Sequence, residues 1–138
     1  MYHHLVLVVG PRSGGKTQVL QELNSRHGWK RINVNRQLSE QLLELTAKQR
    51  AVRLPSILGE LVESAGGDVV LLDNLEMLFS PDFGQDPLRL LQGLARNRTI
   101  VAAWAGAGDR HYLSYARPDH REWKRYETPD ALIVSAAE

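Results

Sequence analysis

The sequence predicts an α/β fold in which helices cover both faces of a five-stranded, mostly parallel sheet, giving three layers. Short apolar runs alternate with amphipathic stretches along the chain, an order typical of parallel strands joined by right-handed helical crossovers. Several of the runs are unbroken in valine and leucine, as in strands that are buried on both faces. With 138 residues, the chain has the length of one domain, residues 1–138.

The predicted strands are the apolar runs. The first, "HHLVLVVG", and the third, "DVVLLDN", are nearly continuous in valine and leucine, whereas the second, "KRINVN", alternates apolar with polar residues. The fourth, "RTIVAAWAG", is again apolar, and the fifth, "DALIVSA", is the weakest of the set. These strands occupy residues 3–10, 30–35, 68–74, 98–106 and 130–136.

Helical stretches separate the strands. The first covers residues 18–26 and ends at Gly28, because glycine is the usual residue just beyond a helix C-terminus. Leu38, Leu42 and Leu45 recur at helical spacing and predict the second helix. Each of these helices returns the chain to the start of the next strand, as a parallel sheet requires.

Two further helices are predicted from their starting residues. Pro55 is interpreted as the first-turn proline of the third helix, whose apolar positions span residues 58–65 and which two glycines end. Asp86 is the predicted N-cap of the fourth helix, and Pro87 is its first residue. Proline suits this position because the first N–H groups of a helix have no partner within it.

The stretch "GPRSGGKT" joins the first strand to the first helix, at the sheet edge where α/β proteins bind ligands. It matches G-x-x-x-x-G-K-[ST] at every fixed position. Its glycines let the backbone curl until N–H groups face phosphate oxygens, Lys16 can reach the β- and γ-phosphates, and the Thr17 hydroxyl can join a Mg²⁺ shell. The sequence therefore predicts a P-loop NTPase core that binds ATP and Mg²⁺. The predicted nucleotide-binding residues are Gly10, Pro11, Arg12, Ser13, Gly14, Gly15, Lys16, Thr17 and Gln18.

A carboxylate for the magnesium site is predicted at Asp73, where the third strand ends. Thr17 and Asp73 are accordingly the predicted metal-binding residues, and Lys16 and Asp73 are expected to take part in catalysis. Many ATPases of the additional-strand class carry a glutamate directly after this aspartate, but here that position is Asn74. Glu76 is interpreted either as the catalytic substitute for that glutamate or as a surface charge on a short helix.

Residues 110–126 alternate cationic with aromatic side chains and allow three interpretations. One is a DNA-binding surface, with cations for phosphates and rings for base stacking, although neighbouring carboxylates nearly cancel the charge. Another is a solvated helix with ion pairs and an aromatic stripe against the core. The third is an arginine finger that reaches the nucleotide of a neighbouring subunit, with Arg121 chosen ahead of Arg117 and Arg125.

Composition and length limit the surroundings in which the chain works. The absence of cysteine excludes disulfides and thiolate chemistry, and a net charge of +1 gives no sign of a strongly nucleic-acid-seeking domain. No apolar run approaches membrane-spanning length, and the expected location is the cytoplasm. The sequence stops just after the fifth strand, which predicts that no helical lid covers the nucleotide and that a homo-oligomer or a partner completes the site.

Three stretches resemble the BrxF family of small P-loop proteins from bacterial bacteriophage-exclusion (BREX) systems. They are "VLVVGPRSGGKT", "VVLLDNLEMLF" and "DPLRLLQGLARNRTIVAAW", and the last two are the more specific because many families share the phosphate loop. The resemblance implies a cytoplasmic subunit of an anti-phage defence system that acts beside a larger ATPase, a DNA methyltransferase and a phosphatase-like component. It assigns residues 10–17 to the phosphate loop and Asp73 to the magnesium-side carboxylate.

Three functions are compatible with these residues. The first is an ATPase of the additional-strand, AAA+-like type that is active in an oligomer. The second is a small nucleotide kinase in which the arginines of residues 110–125 close over the transferred phosphate. The third is a non-hydrolysing adaptor gated by nucleotide. Asn74 favours the adaptor, as does Trp104, which stands where such ATPases often place a polar sensor of the γ-phosphate; both argue against rapid hydrolysis.

Overall fold

The computed structural model describes residues 4–11, 15–115 and 124–136. Within these ranges the chain forms four α-helices and seven β-strands. The helices are α1 (Lys16–His27), α2 (Val34–Leu42), α3 (Ala47–Ala65) and α4 (Pro87–Leu94). The strands are β1 (Leu5–Gly10), β2 (Lys30–Asn33), β3 (Val69–Asp73), β4 (Thr99–Gly108), β5 (Tyr112–Tyr115), β6 (Lys124–Glu127) and β7 (Leu132–Ser135). Two short 3₁₀ helices, Glu76–Phe79 and Pro81–Phe83, lie between β3 and α4.

Five of the strands form the parallel sheet that the sequence predicts, in the order β2-β3-β4-β1-β7. Val101 of β4 pairs with Val6 of β1 on one side and with Leu71 of β3 on the other. β4 is therefore an extra strand between the one that leads into the glycine-rich loop and the one that ends in Asp73. All three strands run in the same direction, so their carboxyl ends meet at one edge of the sheet.

Helices cover both faces of the sheet, which confirms the predicted α/β layering. On one face, Leu20 of α1 packs with Val8, Leu71 and Ala103. On the other face, α2, α3 and α4 cover a larger core, in which the fully buried leucines include Leu38, Leu58 and Leu91. In the part of the chain that the structure describes, no helix is both long and apolar enough to cross a membrane.

The third helix begins well before Pro55, so the prediction that this proline starts it is wrong. Thr46 caps the helix: its hydroxyl accepts a hydrogen bond from the Gln49 N–H, and the Gln49 side chain accepts one from the Thr46 N–H. Because proline has no N–H, the carbonyl of Ala51, one turn earlier, lacks its usual helical donor. Gln85 Nε2 donates to that carbonyl at 2.9 Å instead, which makes a proline tolerable inside the helix.

The boundary between β2 and α2 also differs from the prediction. β2 ends at Asn33, whose side-chain oxygen accepts a hydrogen bond from the Arg36 N–H and caps the helix that starts immediately after it. α2 ends at Leu42, and Leu45 lies beyond it rather than in its last turn. The Arg50 guanidinium donates from Nε to the carbonyls of Leu42 and Leu45, both at 3.0 Å. A side-chain cap at each end therefore sets the length of this helix.

The described part of residues 110–126 is extended, so the interpretation of this segment as a solvated helix is wrong there. β5 pairs with the end of β4, and β6 pairs with β5, both antiparallel. Along β5, half-buried Tyr112 and Ser114 alternate with buried Leu113 and Tyr115. This alternation is typical of a strand with one face against the core. The five predicted strands are thus two short of the seven in the described part of the chain, because neither β5 nor β6 contains an apolar run.

An aromatic cluster fastens this antiparallel pair to the core. The Tyr115 ring stacks on Phe79 with centroids 3.5 Å apart, and Trp104 meets Phe79 edge-on at 4.9 Å. Tyr126 of β6 approaches Trp104 with centroids 6.0 Å apart. Its hydroxyl donates to Asp86 Oδ1 at 2.9 Å, the same oxygen that caps α4. The β5–β6 pair is therefore attached to the rest of the domain at two places, the aromatic cluster and the N-terminus of α4.

Tyr126 is expected to make the protein less stable at alkaline pH. Burial, helped by the neighbouring Asp86 carboxylate, raises the pKa of the Tyr126 phenol above its ordinary value. From about pH 10 upward the unfolded chain loses this proton while the folded chain keeps it, so stability that is complete below pH 10 falls as pH rises. Urea unfolding at pH 8 and pH 11 measures the loss. The loss of stability between the two pH values should shrink in Tyr126→Phe and persist in the control Tyr112→Phe. An equal loss in both variants contradicts the assignment of this effect to Tyr126.

Candidate functional site

A polar cleft of about 640 Å³ opens at the carboxyl edge of the sheet, beside the N-terminus of α1. It brings together six residues of the predicted site, from the loop, the start of α1, β3 and the 3₁₀ helix after β3, and the structure adds four polar or small side chains to them. The cleft is lined by Gly15, Lys16, Thr17, Gln18, Gln21, Asn35, Asp73, Asn74, Glu76 and Ala103. Gly10 and Pro11 precede it, at and just after the end of β1. Arg12, Ser13 and Gly14 lie outside the described residues.

Gly15 shapes the entry into α1. Its backbone has φ +87°, a left-handed conformation that residues with a side chain rarely adopt. Helix α1 begins at the next residue, and no side chain caps it. The N–H groups of a first helical turn point out of its N-terminus, which carries partial positive charge. The cleft therefore borders an end of α1 that suits an anion.

Lys16 is a buried cation in the wall of this cleft. Only 7% of the residue is exposed, and its Nζ donates a hydrogen bond back across the loop to the Pro11 carbonyl at 2.6 Å. A buried ammonium requires hydrogen-bond acceptors, since it has given up its water. The lysine side chain thus turns back toward the residue that follows β1, and the ammonium faces inward rather than into bulk solvent.

Asp73 is the buried anion of the same cleft, with 2% of the residue exposed. Its Oδ1 accepts a hydrogen bond from the Asn74 N–H at 3.0 Å, and its Oδ2 accepts one from Arg31 Nη1 at 3.2 Å. Asn74 has φ +58°, a conformation that asparagine tolerates better than most residues. The chain therefore turns away sharply after β3, with the carboxylate left at the cleft.

Glu76 was interpreted either as a catalytic acid or as a surface charge on a short helix, and its catalytic role stays a prediction. It starts a short 3₁₀ helix, and it also lines the cleft. Asn35, at the start of α2, holds it from two sides: Nδ2 donates to Glu76 Oε1 at 3.0 Å, and Oδ1 accepts from the Met77 N–H at 2.8 Å. The Asn35 N–H also donates to the Asn74 carbonyl at 3.0 Å. One asparagine thus fixes the orientation of the acidic side chain.

Trp104 does not reach the cleft, although it lies near the end of the predicted fourth strand. Its side chain is completely buried, and its indole N–H donates to the Ser114 carbonyl at 2.9 Å. Successive side chains of a strand point to opposite faces, and it is the small Ala103 that lines the cleft. The tryptophan therefore has a structural role in joining β4 to β5, and β4 presents only a methyl group at this point.

The arginine candidates lie elsewhere or outside the described residues. Arg117 and Arg121 belong to the undescribed segment between β5 and β6. Arg125 lies on β6, where its guanidinium stands over the Tyr112 ring at 4.7 Å and pairs with Glu127 at 3.3 Å. β6 carries two cations, Lys124 and Arg125, and one carboxylate, Glu127, which neutralises the arginine.

Sequence reasoning missed two side chains that act on the predicted acids, Arg31 and Asn35. Both lie in "KRINVN", which the sequence analysis treated only as a strand. β2 pairs with β3 in parallel, with Asn33 opposite Asp73, and this pairing brings Asn35 to the cleft and Arg31 to the Asp73 carboxylate. The alternation of apolar and polar residues in this stretch indicated a strand, but no local pattern indicated which strand would pair with it.

The cleft has the ligand types that Mg²⁺ needs when it binds together with phosphate. The Thr17 hydroxyl and the Asp73 carboxylate both line it, and Mg²⁺ is commonly held by one or two protein oxygens plus phosphate oxygens and water. Among the residues that the structure describes, no group of three or more acidic, histidine or cysteine side chains forms a metal cage. The donor set therefore fits a nucleotide-bound Mg²⁺ and does not resemble a self-sufficient metal centre.

Comparisons with known proteins place the chain in no family. No protein-family model matches it, and no curated protein does. Among solved structures, that of C. elegans PCH-2 aligns with 98% of this chain and 36% of its own, at 17% sequence identity and a TM-score of 0.46. The chain thus spans about a third of the length of that protein. The function must be inferred from the cleft itself.

Proposed function

We propose that the chain binds ATP with Mg²⁺ in the cleft beside α1 and hydrolyses it slowly. The observation that carries the proposal is that Lys16 and Asp73, both nearly inaccessible to solvent, line the same polar cleft. Burying charge is costly unless each charge is paired. In a site for a polyanion and its metal cation, Lys16 binds the polyanion and Asp73 binds the cation. The G-x-x-x-x-G-K-[ST] spacing around Lys16 supports a triphosphate as the polyanion.

Each residue of the cleft has a defined role in this proposal. The Lys16 ammonium exchanges the Pro11 carbonyl for a phosphate oxygen, and the first-turn N–H groups of α1 bind the phosphates further. Thr17 and Asp73 hold the Mg²⁺, which neutralises phosphate charge when bound. Gln18 lines the same wall of the cleft. Gly10, Pro11 and Gly15 belong to the same proposed phosphate loop, and its residues 12–14 lie outside the described residues.

Slow hydrolysis follows from the acidic side of the cleft. Glu76 is the carboxylate proposed to accept a proton from the attacking water. Asn35 already engages one of its oxygens, which restricts how the carboxylate can meet a water. Asn74, next to Asp73, has no basic group, and Trp104 is buried against β5. An oligomer that brings an arginine such as Arg121 to the phosphates would then raise the rate.

A non-hydrolysing, nucleotide-gated adaptor is the second candidate. The buried position of Trp104 favours it, because β4 then offers the cleft only the methyl group of Ala103. A nucleotide kinase is less favoured. The resemblance to the BrxF family adds a proposed context: a cytoplasmic subunit of an anti-phage defence system, acting as a homo-oligomer or beside a larger ATPase, a methyltransferase and a phosphatase-like component. DNA contact through residues 110–126 belongs to the same proposal.

Measurements of ATP binding and turnover test the function. Mg²⁺-dependent ATP binding is expected, with turnover per subunit that rises with protein concentration, followed with and without duplex DNA. Glu76→Gln should lower turnover by about 100-fold and leave ATP affinity nearly unchanged, whereas Glu44→Gln, at an exposed position, should alter neither. Binding without turnover at any concentration supports the adaptor. An absence of ATP binding refutes both.

A further inference from the structure

Arg31 is a cation placed directly against the proposed metal-binding carboxylate. Its Nη1 lies 3.2 Å from Asp73 Oδ2, and the arginine side chain is 33% exposed while that of the aspartate is 3% exposed. The other oxygen of the carboxylate accepts the Asn74 N–H. In the structure, therefore, an arginine supplies the positive charge that this buried anion needs.

The strand register explains how Arg31 reaches this position. Arg31 of β2 pairs with Leu71 of β3, and Leu71 belongs to the core beneath α1. Residues two apart on a strand share a face, so Asp73 projects on this same side of the sheet, one position nearer the cleft. The long arginine side chain then runs along β2 to the carboxylate from beside the cleft, without being one of its lining residues.

We propose that Arg31 is the resident counter-ion of Asp73 and keeps divalent cations off this carboxylate until a nucleotide is bound. This inference rests on the proposed ATP–Mg²⁺ function. A lone Mg²⁺ must displace the guanidinium or share Oδ2 with a like charge, both of which oppose binding. A triphosphate adds several negative charges to the cleft, and the cleft can then hold the metal ion and the arginine side chain at the same time. Arg31 is thus a positioning residue that orders the two binding events.

The experiment measures Mn²⁺, as a probe for Mg²⁺, by the loss of the free-ion signal in electron paramagnetic resonance. It uses the whole chain without nucleotide and then with ATP. Arg31→Met, which removes the charge and keeps most of the side-chain length, should bind Mn²⁺ at least about tenfold more tightly than the natural protein when nucleotide is absent. With ATP present the difference should shrink. Arg36→Met, at an exposed arginine paired with Glu40, is the matched control and should change neither affinity.

A gain of affinity is a result that a merely structural role for Arg31 does not produce. Should Arg31→Met fail to fold with Asp73 unpaired, Arg31→Lys takes its place, because the shorter side chain weakens the pair and still raises Mn²⁺ affinity. Unchanged or weaker nucleotide-free binding in the variant that folds overturns the inference. Asp73→Asn distinguishes failure of the proposed metal site from failure of the role of Arg31. If it abolishes Mn²⁺–ATP binding while Arg31 variants change nothing, the proposed site stands without this role for Arg31. If Asp73→Asn leaves Mn²⁺–ATP binding intact, the metal site and the inference both fail.

Discussion

Replacing Lys16 by alanine is expected to weaken ATP binding by at least 100-fold, about 2.8 kcal/mol. The Nζ of this residue is inside the cleft wall and donates to a loop carbonyl only 2.6 Å away. Charge-assisted hydrogen bonds from an ammonium to phosphate are among the stronger polar contacts, and exclusion of water strengthens them. Alanine offers neither the charge nor the reach, and the described residues that line the cleft include no second cation that could replace it.

Isothermal titration with ATP and Mg²⁺ measures this effect. The matched control is Lys30→Ala, because that lysine is exposed at the start of β2, at the opposite end of the strand from the cleft. The control should keep the natural affinity. Urea unfolding of the Lys16 variant checks that its fold is intact. A folded Lys16→Ala protein with undiminished affinity would show that ATP binds elsewhere and would remove the basis of the proposed function.

Replacing Gly106 by alanine is expected to destabilise the fold by about 3 kcal/mol. A Cβ at this position would overlap the Ser114 carbonyl oxygen and would lie 3.1 Å from the Tyr115 Cα. Both are backbone atoms, so they cannot move aside as the tip of a side chain can. The same carbonyl accepts the Trp104 indole N–H at 2.9 Å, and displacement of β5 would strain this bond as well. Close approach of two backbones is therefore the reason for a glycine here.

The matched control for this glycine is Gly93→Ala. Gly93 lies in α4, and a Cβ added there meets no atom within 4 Å. Alanine stabilises a helix relative to glycine by about 1 kcal/mol, so the control should become more stable while Gly106→Ala becomes less so. Urea unfolding followed by circular dichroism measures both. Two changes of the same sign would contradict the packing seen between β4 and β5.

The parallel strands and the start of α4 were predictable because their signals are local. A run such as "LVLVV" indicates a strand buried on both faces wherever it occurs, and the Asp86-Pro87 pair indicates the start of a helix. These rules depend on residues only a few positions apart. The same locality explains the error at Pro55. A proline was taken as a helix start, whereas Gln85, from a distant segment, supplies the hydrogen bond that lets the helix run through it.

The two extra strands and the contacts of the site depended on pairings between distant residues. Arg31 and Asp73 are 42 residues apart in the chain, and they meet only because β2 lies beside β3. Asn35 and Glu76 are 41 residues apart and meet for the same reason. No periodicity within "KRINVN" specifies its neighbour, since register is set by the packing of the whole sheet.

The sequence by itself determined the α/β class and the parallel strands and placed Lys16 at the junction of β1 with α1, because backbone preference and hydrophobic periodicity act over a few residues. Only the tertiary structure decided that Trp104 is buried against β5, that Asn35 orients Glu76, and that Arg31 neutralises Asp73. Those contacts arise when strands and helices stack, and the free energy that selects among the possible stackings belongs to the complete core rather than to any one segment.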